Sequence, residues 1–371
     1  MSARRTGMIR RTGRFPALLV GVALAAGAAL PLAAALTVSE SGSTLIFPLF
    51  QEWVGAYAKV DPGVQMTVNA TGSGAGIAGA IAKQVEIGTS DAYMTDNQAM
   101  ANPHILNIPL AISAQTVDAN LPGLRGALKL SGPVLAGIYT GKIRTWDAPE
   151  IAAMNRGVAL PHHGIVPVRR ADGSGDTFIF TQFLSFTTCA SGDTDDPLCH
   201  GTWADTIGYG TSVNWPSVSG VLTANGNQGV LQTLARTPYS VGYLGASFED
   251  QASKAGLVTA MLQNQAGNFL LPTPATVTAA AAALTPRTPA DERLTLVFAP
   301  GAESYPLINY EYAMVWDKQP NSEMATAVSN FLLWCISPQG GSAPGFLDPV
   351  HFIALPTPIR ARSEIQIAKI Q

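Results

Sequence analysis

The stretch IVPVRRADGSGDTFIFTQFL, residues 165–184, contains the unit that decides the fold. Its apolar start, Ile165 to Val168, predicts a β-strand, and its apolar end predicts a helix from Asp176 to Leu184. A strand, a Gly/Ser loop and a helix in this order are typical of α/β folds with a mostly parallel sheet. Ligands bind at the carboxyl ends of such strands, so the loop between them is a candidate binding loop.

The same alternation recurs from Leu36 onward. Amphipathic or small-residue runs predict helices at 48–59, 75–84 and 245–254, and apolar or alternating runs predict strands at 64–68, 85–89, 105–113 and 239–244. In the first of these helices Leu49, Trp53 and Tyr57 are four residues apart, which predicts one buried face. We therefore expect an α/β protein throughout.

Composition sets the outer limits. The chain has 371 residues, of which 47% are hydrophobic and 13% are charged, so it is long enough to bury a large core in two domains or, less simply, three. Its 36 glycines and 26 prolines are too few for a collagen-like or low-complexity chain. A net charge of −3 argues against a nucleic-acid-binding protein that works through a general basic field.

The N-terminal segment, residues 1–35, resembles a secretory signal peptide. Five arginines precede an apolar run from Phe15 to Leu32, and Ala33-Ala34-Ala35 then predicts cleavage before Leu36. The alternative is a retained membrane anchor, because about 18 apolar residues approach the length of a membrane span. Cleavage removes five of the 22 basic residues and none of the 25 acids, leaving a mature net charge of −8.

Three Gly/Ser loops suggest an anion site: 41–44, 71–76 and 170–177. Each precedes a predicted helix, so hydroxyls and free backbone N–H groups can point at one oxyanion with the helix dipole behind them. The alternative for any single loop is an ordinary turn or helix cap. A nucleotide site is not favoured, because the glycine-rich run at 72–77 lacks the Lys-Ser/Thr ending of a P-loop.

A fourth loop, 88–92, brings a carboxylate, Asp91, to the same sheet edge. An acid beside an anion is useful only where the anion carries a proton. Hydrogenphosphate can donate its P–O–H group to a carboxylate, whereas fully ionised sulfate is an acceptor only and is repelled. Asp176 is a candidate second acceptor, with helix capping as its alternative role.

Taken together, these motifs resemble one family, the periplasmic phosphate-binding proteins that serve the phosphate-specific (Pst) ABC importer. The resemblance spans nearly all of the chain after residue 35. The motifs that carry it, in the family's order, are 42–45, 72–74, 88–92, 170–177 and 305–312.

The resemblance implies a two-lobed, type II-like binding-protein fold, each lobe a mostly parallel sheet flanked by helices, with phosphate in the cleft. It implies no enzymatic activity, cofactor or metal. It places lobe 1 at 36–119 and 306–371 and lobe 2 at 120–305, with crossings near 117–121 and 303–308. It also implies a monomeric, periplasmic protein whose partners are the Pst permease subunits and their ATPase complex.

The resemblance further implies the site residues, residue by residue. From lobe 1 come Ser43, Thr44, the backbone of Leu45, Ser73 and Asp91; from lobe 2 come Arg170, Ser174, Gly175 and Asp176, with Asp172 bracing the arginine. Many relatives have threonine where this chain has Asp176, and serine is more usual than Ala171.

Three other functions compete with this interpretation. A secreted hydrolase would use Ser174 as a nucleophile, but no histidine lies in a motif that would orient it as the base. A binding protein for sulfate or molybdate conflicts with Asp91. A calcium site built on Asp172 and Asp176 lacks the further ligands of an EF-hand.

The three cysteines predict one disulfide and one free thiol. In an exported protein Cys189 and Cys199 should form a disulfide that closes a short polar loop, while Cys335, in an apolar run, should be a buried free thiol. Alkylation of the unreduced, denatured protein should therefore label one thiol. Labelling of three thiols would rule the disulfide out.

Overall fold

The computed structural model describes Gly13, residues 35–188 and residues 202–371. The signal segment, apart from Gly13 and Ala35, and the pair Cys189 and Cys199 lie outside these residues. Residues 35–371 form one compact unit. In the described part of the chain, no helix has the length and apolar character needed to cross a membrane.

The described residues contain twelve strands. They are β1 Leu36–Gly42, β2 Val64–Ala70, β3 Ile87–Ser90, β4 Ile105–Ala119, β5 Lys129–Leu130, β6 Val166–Arg170, β7 Leu222–Ala224, β8 Ser240–Gly245, β9 Val258–Thr259, β10 Met261–Gln263, β11 Phe269–Leu270 and β12 Ile308–Trp316.

Thirteen α-helices lie in the same residues. They are α1 Phe47–Val60, α2 Ser73–Ile81, α3 Asp96–Ala101, α4 Gly132–Tyr139, α5 Pro149–Met154, α6 Gly175–Thr188, α7 Trp203–Thr206, α8 Gly226–Arg236, α9 Glu249–Lys254, α10 Pro274–Leu284, α11 Ser322–Ile336, α12 Pro344–Leu347 and α13 Thr357–Ile367.

The main sheet is organised around the long strand β4. Its strand order is β2-β1-β3-β12-β4-β8-β6-β7, and β9 pairs with β4 beside this path. β1, β2 and β3 are mutually parallel, as are β6, β7 and β8. β4 pairs with β12 over residues 105–114 and with β8 over residues 115–119, both antiparallel.

The register shows that the two parallel groups point their carboxyl ends at each other. Tyr312 of β12 pairs with Ser90, at the end of β3, and also with Pro109 of β4. Gly245, at the end of β8, pairs with Gln115 of β4. The two carboxyl edges are thus only about six β4 residues apart, so loops from both groups converge on one place.

The sequence-based elements hold with shifted ends and one correction. The helix predicted to start at Gly245 starts at Glu249, after a 3₁₀ turn at Ala246–Phe248, because Gly245 is still the last residue of β8. Its N–H donates to Asn227 Oδ1 at 2.8 Å, which keeps it in the strand. The predicted apolar face of α1 is confirmed, since Leu49, Trp53 and Tyr57 are all buried.

Trp53 anchors α1 in the main hydrophobic core. Its ring lies 5.2 Å from that of Phe50, and its Nε1–H donates to the carbonyl of Gly341 at 2.9 Å. Cys335 is buried in the same core as a free thiol, as its apolar surroundings predict. Burial of these large rings fixes the start of α1, and with it the loop that precedes the helix.

Glu40, Asp118 and Glu292 are buried carboxyl groups outside the predicted set of site residues. Burial raises the pKa of Glu40 to about 7, that of Asp118 to about 6 and that of Glu292 to about 8. Ser363 donates to Glu292 Oε1 at 3.1 Å, while Oε2 of Glu292 has no hydrogen-bond partner within the described residues. A neutral carboxylic acid suits this position better than a carboxylate.

These raised pKa values predict that the ligand-free protein loses stability as the pH rises. Between the ordinary carboxyl values near 4 and the folded-state values of about 6 to 8, the folded chain holds protons that the unfolded chain releases. Glu292→Gln should match the wild type at pH 5 and exceed it at pH 8 by on the order of 1–3 kcal/mol. Urea denaturation at both pH values, with exposed Glu150→Gln as control, measures this. Equal stability of Glu292→Gln and wild type at pH 8 would contradict it.

Candidate anion-binding site

Four helices begin where the two carboxyl edges meet. α1 and α2 follow β1 and β2 from one group of strands, and α6 and α8 follow β6 and β7 from the other. The first turn of each helix has backbone N–H groups without intrahelical partners, and the helix dipole makes this end positive. The arrangement therefore favours an anion at the centre of the loops.

The loop between β1 and α1 is held by Ser43. Its Oγ accepts hydrogen bonds from the backbone N–H groups of Leu45 at 3.0 Å and Ile46 at 3.2 Å, and its hydroxyl donates to Oδ1 of Asp91. Ser43 is 1% exposed and Leu45 is fully buried. Ser43 thus ties the entry of α1 directly to the carboxylate that follows β3.

Asp91 is also hydrogen-bonded to Ser73, the first residue of α2. The Ser73 hydroxyl donates to Asp91 Oδ2 at 3.1 Å, and the Asp91 backbone N–H donates back to Ser73 Oγ at 3.2 Å. Gly175, the first residue of α6, lies against both side chains. A β-carbon there would overlap the Asp91 carboxylate and lie 2.6 Å from Ser73 Oγ. Glycine is therefore required where α6 approaches Asp91.

Arg170, at the end of β6, lies between two carboxylates. Asp172 accepts from both Nε, at 2.8 Å, and Nη2, while Asp176 Oδ2 accepts from Nη1 at 2.5 Å. The arginine and Asp176 are almost completely buried, whereas Asp172 is partly exposed. The bidentate contact with Asp172 fixes the plane of the guanidinium.

The side chain of Asn227, in the first turn of α8, connects three loops. Its Nδ2 donates to Thr44 Oγ1 at 2.9 Å and to Asp176 Oδ2 at 2.8 Å, and its backbone N–H reaches Thr44 Oγ1 at 3.1 Å. The two Nδ2 bonds link loops that come from opposite groups of strands. Sequence reasoning did not identify Asn227, although it follows a strand and a glycine as the predicted residues do.

Ser174 caps α6 by accepting from the backbone N–H of Thr177 at 3.2 Å. Its other side-chain contact is with Asp176 Oδ2 at 3.5 Å. The described histidines with side-chain hydrogen bonds contact Asp317, Asp147 and Asp250, all remote from Ser174. His163 stacks on Tyr239. No base for a nucleophilic serine is found among these histidines.

Burial controls the charges of the site. It raises the pKa of Asp91 to about 7, helped by the negative charge of Asp176 and opposed by hydrogen bonds and by Arg170. Burial also raises the pKa of Asp176, against the attraction of Arg170. Burial would lower the pKa of Arg170, but the hydrogen bond to Asp172 and the charges of both aspartates outweigh it, so the pKa is raised and the guanidinium stays charged.

The structure brings all the predicted site residues together. The pairs just described join Ser43 and Ser73 to Asp91, Gly175 to Asp91, and Thr44 to Asp176 through Asn227. The hydroxyls, amides and guanidinium can donate to an oxyanion, and Asp91 and Asp176 can accept from one that carries a proton. A cavity of about 710 Å³ adjoins this site, lined by Thr44, Asp172 and Asn227 among others.

Comparison with known proteins agrees with this geometry. The model of a family described as "PBP superfamily domain" matches residues 28–339. The chain is 32% identical to the "Phosphate-binding protein PstS" of Pasteurella multocida, with 90% of each chain covered. It is 31% identical to the protein of the same name from Methanocaldococcus jannaschii, covering 86% of this chain and 83% of that one.

Solved structures show the same fold. One is a "high affinity periplasmic phosphate-binding protein (PfluDING) bound with phosphate", with a TM-score of 0.65 at 21% identity, covering 88% of this chain and 92% of that one. Another, the "Phosphate binding protein (PBP)" of Stenotrophomonas maltophilia, has a TM-score of 0.65 at 18% identity, with 89% and 94% covered.

Fold and site together define a substrate-binding protein of the PBP superfamily, and the predicted two-lobed α/β fold class is confirmed. Within that superfamily, the chain belongs to the family of PstS phosphate-binding proteins. Its relatives are binding proteins and not enzymes.

Proposed function

We propose that this chain binds inorganic phosphate in the site formed by the converging loops and delivers it to an ABC importer. The observation that carries this proposal is the position of Asp91. Its buried carboxylate accepts hydrogen bonds from two serine hydroxyls and lies against the N-terminus of α6. A carboxylate among anion-binding donors fits a protonated oxyanion. The PstS relatives support phosphate as that anion.

In this proposal the donors and acceptors have separate tasks. Donors to the phosphate oxygens are Thr44, the backbone of Leu45, Arg170, Ser174 and the backbone of Gly175. Ser43 and Ser73 join them when their single O–H groups turn from Asp91 to the ligand. Asp91 and Asp176 are the two candidate acceptors of a hydrogen bond from a P–O–H group, and Asp172 orients Arg170. Binding requires Asp176 to share Arg170 Nη1 with the ligand, since the carboxylate and the guanidinium are in direct contact.

The cellular part of the proposal rests on the family. We infer that the protein is exported, its signal segment cut near Ala35, and that it works as a monomer in the periplasm with the Pst permease subunits and their ATPase complex. We also infer two lobes, 36–119 with 306–371 and 120–305. The change of strand partner on β4 between Ala114 and Gln115 supports a crossing in this part of the chain.

Calorimetric titration of phosphate-stripped protein with phosphate, sulfate and molybdate tests the ligand. Phosphate should bind much more tightly than the other two anions. Tighter binding of sulfate or molybdate would show that this anion, and not phosphate, is the ligand of the oxyanion site. Binding of none of the three would overturn the proposal.

Arg170→Ala should weaken phosphate binding by roughly 30-fold to several thousand-fold, because a buried charged partner is worth about 2–5 kcal/mol. The matched control is Arg169→Ala, the same charge change on the neighbouring β6 residue, whose guanidinium lies 5.2 Å from the ring of Trp215. Titration of both variants measures the difference. A loss below about threefold for Arg170→Ala would show that the neutral donors suffice.

Asp91→Asn should leave phosphate binding measurable while allowing sulfate to bind, because the amide can donate to an acceptor-only anion. Asp348→Asn, at an exposed position, is the control for the charge change. The ratio of sulfate to phosphate affinity, measured for both variants at pH 8, gives the result. An unchanged ratio in Asp91→Asn would show that Asp91 is not the group that distinguishes phosphate from sulfate.

A further inference from the structure

Glu311, in the middle strand of the sheet, lies beside Asp91. β12 pairs antiparallel with β3 through Tyr312 with Ser90 and Ala313 with Thr89. The next step in this register brings Glu311 opposite Asp91. Asn309 confirms the proximity, because its Nδ2 donates both to Glu311 Oε1 at 2.9 Å and to the Asp91 carbonyl at 3.4 Å.

The Glu311 carboxyl is enclosed. The residue is fully buried, and Oε1 accepts from Ser113 Oγ at 2.5 Å in addition to Asn309. Oε2 is also buried, and among the described residues no N–H or O–H donor reaches it. Donors thus lie within hydrogen-bond distance of one oxygen of this carboxyl, and none lies within that distance of the other.

Two ionised carboxylates side by side in a buried environment repel each other, so one of them holds a proton. Asp91 already accepts from Ser43 and Ser73, as a carboxylate does. Burial and the neighbouring charge of Asp91 both raise the pKa of Glu311 well above its usual range. The proton therefore belongs on Glu311, and Oε2, which lacks a donor, is the atom to carry it.

We propose that Glu311 is a positioning residue: a neutral carboxylic acid whose Oε2–H donates to Asp91 and keeps Asp91 ionised as an acceptor for the ligand. This inference deepens the proposed function and rests on it for the ligand. The groups facing Glu311 are Asp91 from the β3 loop, Ser113 from β4 and Asn309 from β12. Beyond Asp91 lie Asp176 and Arg170.

The proposed O–H donor has a consequence for selectivity. A hydrogen bond from a neutral acid stabilises the ionised form of Asp91 without adding negative charge to an anion site. Without this donor, Asp91 would take up a proton at a higher pH and could then donate to sulfate. Glu311 thus extends the pH range over which the site rejects acceptor-only anions, although it does not touch the ligand.

Two substitutions separate the neutral donor from other roles. Glu311→Gln keeps the size and supplies an amide N–H donor, so phosphate affinity should stay within about threefold of wild type and sulfate should be excluded over the same pH range as in wild type. Glu311→Leu removes the donor, so sulfate binding should appear at neutral pH and extend to higher pH than in wild type. Glu292→Gln, a buried glutamate outside the site, is the control and should leave both affinities unchanged.

If Glu311 were ionised, Glu311→Gln would remove a negative charge near the anion and strengthen phosphate binding by more than about tenfold, which would overturn the inference. A sulfate profile in Glu311→Leu that matches wild type would also overturn it. A role limited to packing would not move the pH profile.

A readout without ligand separates this inference from the proposed function. The infrared difference spectrum of ligand-free wild type minus Glu311→Gln at pH 7 should contain the carbonyl band of a protonated carboxylic acid. A carboxylate band in its place would disprove the neutral acid, whatever the protein binds. Failure of wild type to bind phosphate, with the acid band present, would instead contradict the proposed function alone.

Discussion

The site depends on how the positive charge of the buried Arg170 guanidinium is balanced. Arg170 is almost completely buried, and a charge in that position is tolerated only when its hydrogen-bonding groups are satisfied. Asp172 fixes one side of it and Asp176 the other. Asp176 also accepts a hydrogen bond from Asn227, and Asn227 donates to Thr44. Arg170 therefore belongs to a hydrogen-bond network that connects the two groups of strands. This network determines which donors remain available to an anion.

The carboxylates give this site its chemical character. An anion site with only donors would bind any tetrahedral oxyanion of the right size. Here Asp91, Asp176 and Glu311 are buried close to the donors, and their mutual repulsion is relieved by Arg170 and by proton uptake. In the proposed function, such a site prefers a ligand that donates a proton to a hydrogen bond, because its carboxylates repel anions that can only accept.

The strand–loop–helix units and the Gly/Ser loops between them follow from local patterns in the sequence, whereas the full set of candidate site residues came from the resemblance to a family. Sequence reasoning missed Asn227, whose partner Thr44 is 183 residues away. The apolar run predicted a strand only over 105–113, whereas β4 continues to Ala119 through the polar residues Gln115, Thr116 and Asp118. In the structure these polar groups are hydrogen-bonded: Gln115 to Asp176, and Thr116 to Asp118. The role of Glu311 depends on the register of β12 against β3, which no single-sequence pattern reveals.

The position of β12 also affects how the chain folds. This strand lies between β3 and β4, yet it is made of residues 308–316, more than 180 residues after β4 ends. The N-terminal strands cannot close their sheet while the chain is still short, because the partner that joins them has not yet been synthesised. Contacts of such large sequence separation slow folding. The strands β1, β2 and β3 therefore have no partner that joins them to β4 until the last sixth of the chain is available, whereas β8, β6 and β7 can pair with β4 before then.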